Sequence, residues 1–98
     1  MVKHIILWSL KEEFKNDESV ILGIKNGLEG LIGKIPGLTN IKVQTEKLPS
    51  SNADLMLDST FESEEALKGY AIHPLHVEVA DTKVRPYTQA RSCLDFEV

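Results

Sequence analysis

Tyr70, His73 and His76 crowd around Pro74, and a further histidine, His4, lies close to the start of the chain. Histidine is the side chain whose ordinary pKa suits general-base work near neutrality, and a phenol can donate a hydrogen bond to a substrate oxygen. With His76 as base, Tyr70 as oxygen stabiliser and His4 beneath them, the set could remove a proton next to a carbonyl. A satisfied hydrogen-bond network at a helix bend accounts for the same residues, and on residue types alone it is the simpler reading.

Other chemistry finds less support. His73 and His76 are three apart, but no CxxC or HExxH accompanies them, so no metal and no cofactor are expected. Nothing near Cys93 in sequence lowers its pKa, and a lone cysteine is usually a small hydrophobe. No glycine-rich phosphate loop is present.

The elements that must position these residues follow from the apolar spacing. Val2 to Leu10 reads as a strand with Val2, His4, Ile6, Trp8 and Leu10 on one side and Ile5 and Leu7 on the other. Asn16 or Asp17 is the expected N-cap of a first helix, whose buried stripe is Val20, Ile24, Leu28, Leu31 and Ile35. Gly23, Gly27 and Gly30 flank that stripe, each costing about 1 kcal/mol of helix propensity against alanine. They mark either a poor helix or room beneath one. Gly33 and Pro36-Gly37 end it.

A second strand is expected over Leu38 to Leu48 and a third over Leu55 to Phe61, separated by a Pro49-Ser50-Ser51-Asn52 turn. Ser63 with Glu64 and Glu65 opens a second helix. Pro74 predicts a bend followed by a further helical segment to about Val84, and Tyr87 to Phe96 reads as the last strand. The order β-α-β-β-α-β predicts an α+β, ferredoxin-like sandwich of one domain over residues 1–98, with both helices on one face of a four-stranded sheet.

In that topology the first strand lies between the third and the fourth. His4 should then approach Asp95, and Trp8 should approach Arg91. Arg91, Cys93 and Asp95 share a side of the last strand, and placing the His4 side under the helices brings them beneath the cover. Buried charge is costly unless paired, so the group is either a closed network or a pocket lining. The expected lining is Ile6, Trp8, Leu57, His73, Arg91, Cys93 and Asp95 beside His4. Alternatively, Arg91 and Asp95 sit half in water and merely stabilise the sheet.

A strand that is apolar on both sides must be covered on both sides, and 98 residues carry helix enough for one cover. A second copy of the chain is the expected partner, through Ile5, Leu7, Leu94 and Phe96. The net charge of −4 without a basic run argues against nucleic acid or an anionic membrane. A single cysteine fits a reducing compartment, and charged residues follow the short apolar start, so a cytoplasmic location is expected.

Several segments resemble the stress-responsive A/B barrel (Dabb) family. They are Val-Lys-His-Ile-Ile-Leu-Trp at the start, Ile-Pro-Gly-Leu at 35–38, Asp54-Leu55-Met56-Leu57, Phe61-Glu62-Ser63, Glu65-Ala66-Leu67 and Asp95-Phe96-Glu97. The most specific is Tyr70-Ala71-Ile72-His73-Pro74-Leu75-His76-Val77. The resemblance implies a dimeric α+β barrel with a small-molecule pocket between sheet and helices in each subunit. It also reaches the plant polyketide cyclase that makes olivetolic acid, whose catalytic histidine and tyrosine fall on His76 and Tyr70 and whose pocket histidine falls on His4. Trp8, Arg91 and Cys93 depart from that enzyme's apolar lining and favour a smaller or anionic ligand. Two functions follow: a homodimer binding an oxygenated or anionic organic molecule, or a cyclase- or isomerase-like enzyme.

Overall fold

The computed structural model describes residues 1–98. Strand β1 (Val2–Leu10) leads through a short 3-10 turn to helix α1 (Glu18–Glu29), then to strands β2 (Leu38–Gln44) and β3 (Leu55–Phe61). Helices α2 (Glu64–Ile72) and α3 (Pro74–Val79) follow, then a π turn (Ala80–Val84) and strand β4 (Thr88–Glu97).

Local chemistry fixes most of these boundaries. Asp17 caps α1, its carboxylate accepting from the Ser19 and Val20 amides at 3.1 and 3.2 Å. Ser63 caps α2 by accepting from the Ala66 amide at 3.1 Å. Helix α1 stops at Gly30, yet Leu31 and Ile35 stay buried in the turn beyond it. Gly37 then takes a left-handed φ of 80°, and a Cβ there would lie 2.5 Å from that of Ala66. Only glycine lets β2 start beneath α2. Strand β2 ends at Gln44, earlier than expected, because Gln44 pairs with Met56 and β3 begins at Leu55. Residues beyond Gln44 have almost no strand left to bond.

The sheet is antiparallel in the order β2-β3-β1-β4. His4 pairs with Asp95 and Trp8 with Arg91, the register expected from the topology. The helices lie on one side, over a single core in which Leu10, Ile24, Leu57, Phe61 and Val43 are wholly or nearly wholly buried.

The barrel implied by the sequence resemblance does not form. Strands β2 and β4 are unpaired edges at opposite ends of an open sheet, with β3 and β1 between them. Closure would need those edges to meet, and four strands are too few to curl that far. The architecture is an open ferredoxin-like α+β sandwich. On its outer side Leu7, Leu94 and Phe96 are exposed. No helix is long and apolar enough to cross a membrane.

Candidate functional site

The His73-Pro74 step builds the site. A residue before proline is driven out of the helical region, and His73 is extended at φ −65°, ψ 131°. The chain therefore turns between α2 and α3. That turn lays the last turn of α2 against the first turn of α3, so Tyr70 and His76 stack with ring centroids 4.0 Å apart and planes 29° from parallel. Tyr70 also packs on Phe61 at 4.9 Å and meets the edge of His4 at 6.0 Å.

Tyr70 is 2% exposed, and its hydroxyl has no hydrogen-bond partner in the protein. Burying a hydroxyl unpaired costs about 1–3 kcal/mol, so a buried orphan of this kind calls for explanation. Burial pushes the phenol pKa up against the opposing charge of Arg91, so the group stays a proton-bearing donor. Burial acts in the opposite direction on His76 and lowers its pKa, with Arg85 and His4 adding to the effect, while hydrogen bonds to the Ala71 and Tyr70 backbone oppose it. Its Nδ1 lies 3.4 Å from the Ala71 carbonyl, which only accepts, so Nδ1 carries the hydrogen and Nε2 keeps its lone pair.

His4 stands on β1 beneath these rings. Its Nδ1 is 2.5 Å from an Asp95 carboxylate oxygen, and its backbone carbonyl accepts from the Ser59 hydroxyl at 2.9 Å. Cys93 Sγ is 3.7 Å from the same nitrogen and 3.5 Å from the same oxygen. Burial, reinforced by the Asp95 carboxylate, raises the Cys93 thiol pKa and keeps it protonated.

Two cavities meet at His4. One of about 410 Å³ lies between sheet and helices, lined by His4, Ile6, Trp8, Leu57, Tyr70, His76, Arg85 and Arg91 among others. The second, about 610 Å³, opens toward the end of β4 and is lined by Val2, His4, Leu67, Lys68, Cys93 and Asp95 among others. His4, Leu67, Ala71 and Arg91 border both. Arg91 forms no salt bridge, whereas Arg85 pairs with Asp81.

The residues expected from the sequence thus gather around two connected spaces, with one exception. His73 lines neither: its Nδ1 accepts from the Leu75 amide at 3.2 Å and caps α3. The extended conformation that proline forces on it is what frees the side chain to cap. Arg91, Cys93 and Asp95 do face the helix side, but they are exposed, because the helices do not reach over β4. Sequence reasoning missed Glu64, Leu67, Lys68 and Ala71, although their 0, 3, 4, 7 spacing puts them on one helix face. It also missed Arg85, which has no such signal. The π turn, closed by the Arg85 amide on the Ala80 carbonyl at 2.8 Å, and the ion pair with Asp81 set where Arg85 points.

The model of the stress-responsive A/B barrel domain matches residues 2–98. The chain belongs to that family. Among solved structures, it is similar to a dimeric protein of unknown function with a ferredoxin-like fold from Bacteroides fragilis, at 31% identity and a TM-score of 0.88, covering 99% of this chain and 95% of the other. An Arabidopsis thaliana protein is 26% identical with a TM-score of 0.77, covering 100% and 95%. A dimeric ferredoxin-like protein of unknown function from Thermobifida fusca aligns at 23% identity and 0.80, covering 99% and 90%, a likeness of fold. No curated protein matches the chain. Despite the family's name, the ferredoxin-like description of the Bacteroides fragilis protein agrees with the open sheet seen here.

Proposed function

We propose that this Dabb-family chain is a homodimeric binding protein whose inner cavity takes a small oxygenated organic anion. The orphaned Tyr70 hydroxyl carries this reading. A buried donor without a partner is stabilised when a ligand oxygen accepts from it, and it points to a ligand bearing such an oxygen. Arg91, free of any salt bridge and bordering both cavities, supplies the charge for a carboxylate. Trp8, Ile6 and Leu57 give the apolar wall that a small organic body needs. The dimer is drawn through exposed Leu7, Leu94 and Phe96 and half-buried Ile5 on the outer face, because apolar side chains clustered on one sheet face mark an interaction surface. The dimeric relatives favour the same assembly.

Binding of 4-hydroxybenzoate and of its neutral methyl ester, followed by calorimetry, tests the ligand. The acid binds and the ester binds at least about tenfold more weakly, and Arg91→Ala removes that preference. Tyr70→Phe weakens both by about tenfold. Equal binding of acid and ester, or a Tyr70→Phe variant that binds as well as the parent, overturns the reading.

A second reading makes the cavity an enzyme of cyclase or isomerase type, akin to the cyclase that forms olivetolic acid. It is favoured by one observation: burial holds His76 neutral at pH 7 with Nε2 unprotonated, as a base must be. His76 takes a proton next to a carbonyl, Tyr70 donates to the enolate oxygen, and His4 lies alongside. Proton–deuterium exchange of acetylacetone in heavy water, measured by NMR, is then accelerated by the parent chain and not by His76→Ala. Exchange at the buffer rate with both removes the enzymatic reading.

A further inference from the structure

Beside the inner cavity, a second chemistry is assembled from strand residues alone. His4 and Asp95 are direct cross-strand partners on β1 and β4, and Cys93 is two residues from Asp95 on the same side. An imidazole, a thiol and a carboxylate converge, each with one donor atom, within 4.8 Å of one another. We propose that His4, Cys93 and Asp95 form a binding site for a borderline-soft divalent metal ion, of which zinc is the best-matched, with a fourth position open to the larger cavity.

The distances fit such an ion. Bonds of about 2.3 Å to sulfur and about 2.0–2.1 Å to nitrogen and oxygen at tetrahedral angles give S···N and S···O edges of about 3.5 Å and an N···O edge of about 3.3 Å. The corresponding separations here are 3.7 Å for Cys93 Sγ to His4 Nδ1 and 3.5 Å for Cys93 Sγ to Asp95 Oδ1. The third edge, 2.5 Å between His4 Nδ1 and Asp95 Oδ1, is a hydrogen bond and opens by about 0.8 Å when the ion takes the place of its proton. Asp95 has the freedom for that: its side chain is 44% exposed and contacts no other charge. His4 does not need to move. Its ring is 9% exposed and held edge-on by Phe61 and Tyr70, and its backbone is fixed by Ser59.

Softness and charge select among ions. Magnesium and calcium take oxygen donors, and one carboxylate makes a poor site for either. Thiolate with imidazole selects zinc and its late first-row neighbours. On coordination through Nδ1 the neutral His4 imidazole carries its hydrogen on Nε2, the Cys93 thiol releases its proton to solvent, and the thiolate and the Asp95 carboxylate together balance the double positive charge. Arg91, two residues from Cys93, adds one positive charge at the rim of the larger cavity. Three protein ligands from a rigid strand pair with one vacant position describe an ion that can accept an outside donor, in contrast to a four-ligand structural site. The site uses neither the Tyr70 hydroxyl nor His76 and stands whether or not the inner cavity binds an organic anion.

Cobalt(II) chloride, added to the reduced full chain after chelator treatment and desalting, provides the readout, followed by displacement with zinc. One equivalent of cobalt gives a thiolate-to-cobalt charge-transfer band and the intense visible bands of four-coordinate cobalt, and zinc abolishes both. Cys93→Ser loses the charge-transfer band, and Asp95→Asn keeps the band but binds zinc at least about tenfold more weakly. Both positions are exposed, and circular dichroism and melting of each variant are to match the parent, which checks that it folds. His76→Gln binds cobalt as the parent does. Absence of a thiolate band at millimolar cobalt overturns the proposal. So does a Cys93→Ser variant with parental zinc affinity, or loss of binding in His76→Gln, which would move the ion to the α3 histidines.

Discussion

Strands β3 and β4 both pair with β1, one on each side, and they live in different worlds. Along β3 buried and half-buried residues alternate without a break, as a strand under helices should, and Leu57, Ser59 and Phe61 are essentially sealed. Along β4 every residue after Thr88 is exposed, on both faces. The sheet is the same and so is the hydrogen bonding, with β1 running antiparallel to each. The difference lies in cover. Helix α1 packs chiefly on β2 and α2 on β1, β2 and β3, and no helix packs comparably on β4. Stability is therefore concentrated on one side of β1, and the groups with spare binding capacity on the other: Arg91, Cys93 and Asp95 inward, Leu94 and Phe96 outward.

Equal truncations on the two strands give the harshest test of that contrast. Phe61→Ala on β3 removes a fully buried ring from the core and should cost about 3–5 kcal/mol in denaturant titrations. Leu94→Ala on β4 should cost under about 1 kcal/mol at concentrations where the chain is a monomer. Similar losses at both positions in dilute protein would mean that β4 is covered within a single chain.

Charge placed on the outer face comes next. Leu94→Glu should leave the monomer folded and weaken self-association at least about thirtyfold, or about 2 kcal/mol, as read by sedimentation equilibrium. Leu7→Glu, on the neighbouring strand, should do the same. A dimer of parental affinity in both variants would exclude this face as the contact.

On the packed side, Asp54 at the start of β3 binds the Leu10 amide at 2.7 Å and the ammonium groups of Lys15 and Lys47. Burial alone would raise its pKa, yet the hydrogen bonds from Lys47, Leu10 and Lys15 prevail and lower it to about 2. A depressed carboxylate pKa stabilises the fold above the unfolded value near 3.9, and that stability is lost as the pH falls toward 2. Asp54→Asn should cost about 2 kcal/mol at pH 7 and flatten the acid limb between pH 4 and 2. A variant whose acid limb parallels that of the parent would show that other carboxylates govern it.

How far these features could be read in the residues depends on what fixes them. The register of His4 with Asp95 and of Trp8 with Arg91 follows from period-two alternation and topology, and it was legible. The bend at Pro74 was legible too, because the imide clash is local. His73 was misread as a pocket residue, since its role as a cap depends on a ψ that only the bend sets. Arg85 owes its place in the cavity to a π turn that leaves no periodic trace. The open edge at β4 depends on where the helices end relative to the sheet, a matter of three-dimensional placement that no strand pattern encodes. Cys93, read as a small pocket-lining residue and not as a nucleophile, meets His4 across the ladder and Asp95 two residues along its own strand.

The smallest effect lies in the cover itself. Gly23 and Gly27 are one turn apart on α1, and each costs helix propensity. A Cβ at Gly23 meets nothing within 4 Å, while one at Gly27 comes 3.0 Å from Val79 Cγ1 on α3. Gly23→Ala should therefore raise stability by about 0.5–1 kcal/mol, the plain propensity gain. At Gly27 the same gain is offset by displacement of α3, and the segment carrying His76 moves with it. Gly27→Ala should be neutral or slightly destabilising in thermal melts, and it should alter the near-ultraviolet signal of the Tyr70–His76 stack while Gly23→Ala does not. An equal gain at both positions would mean that α3 yields freely, and that the packed half of the molecule is less rigid over the cavity than its burial implies.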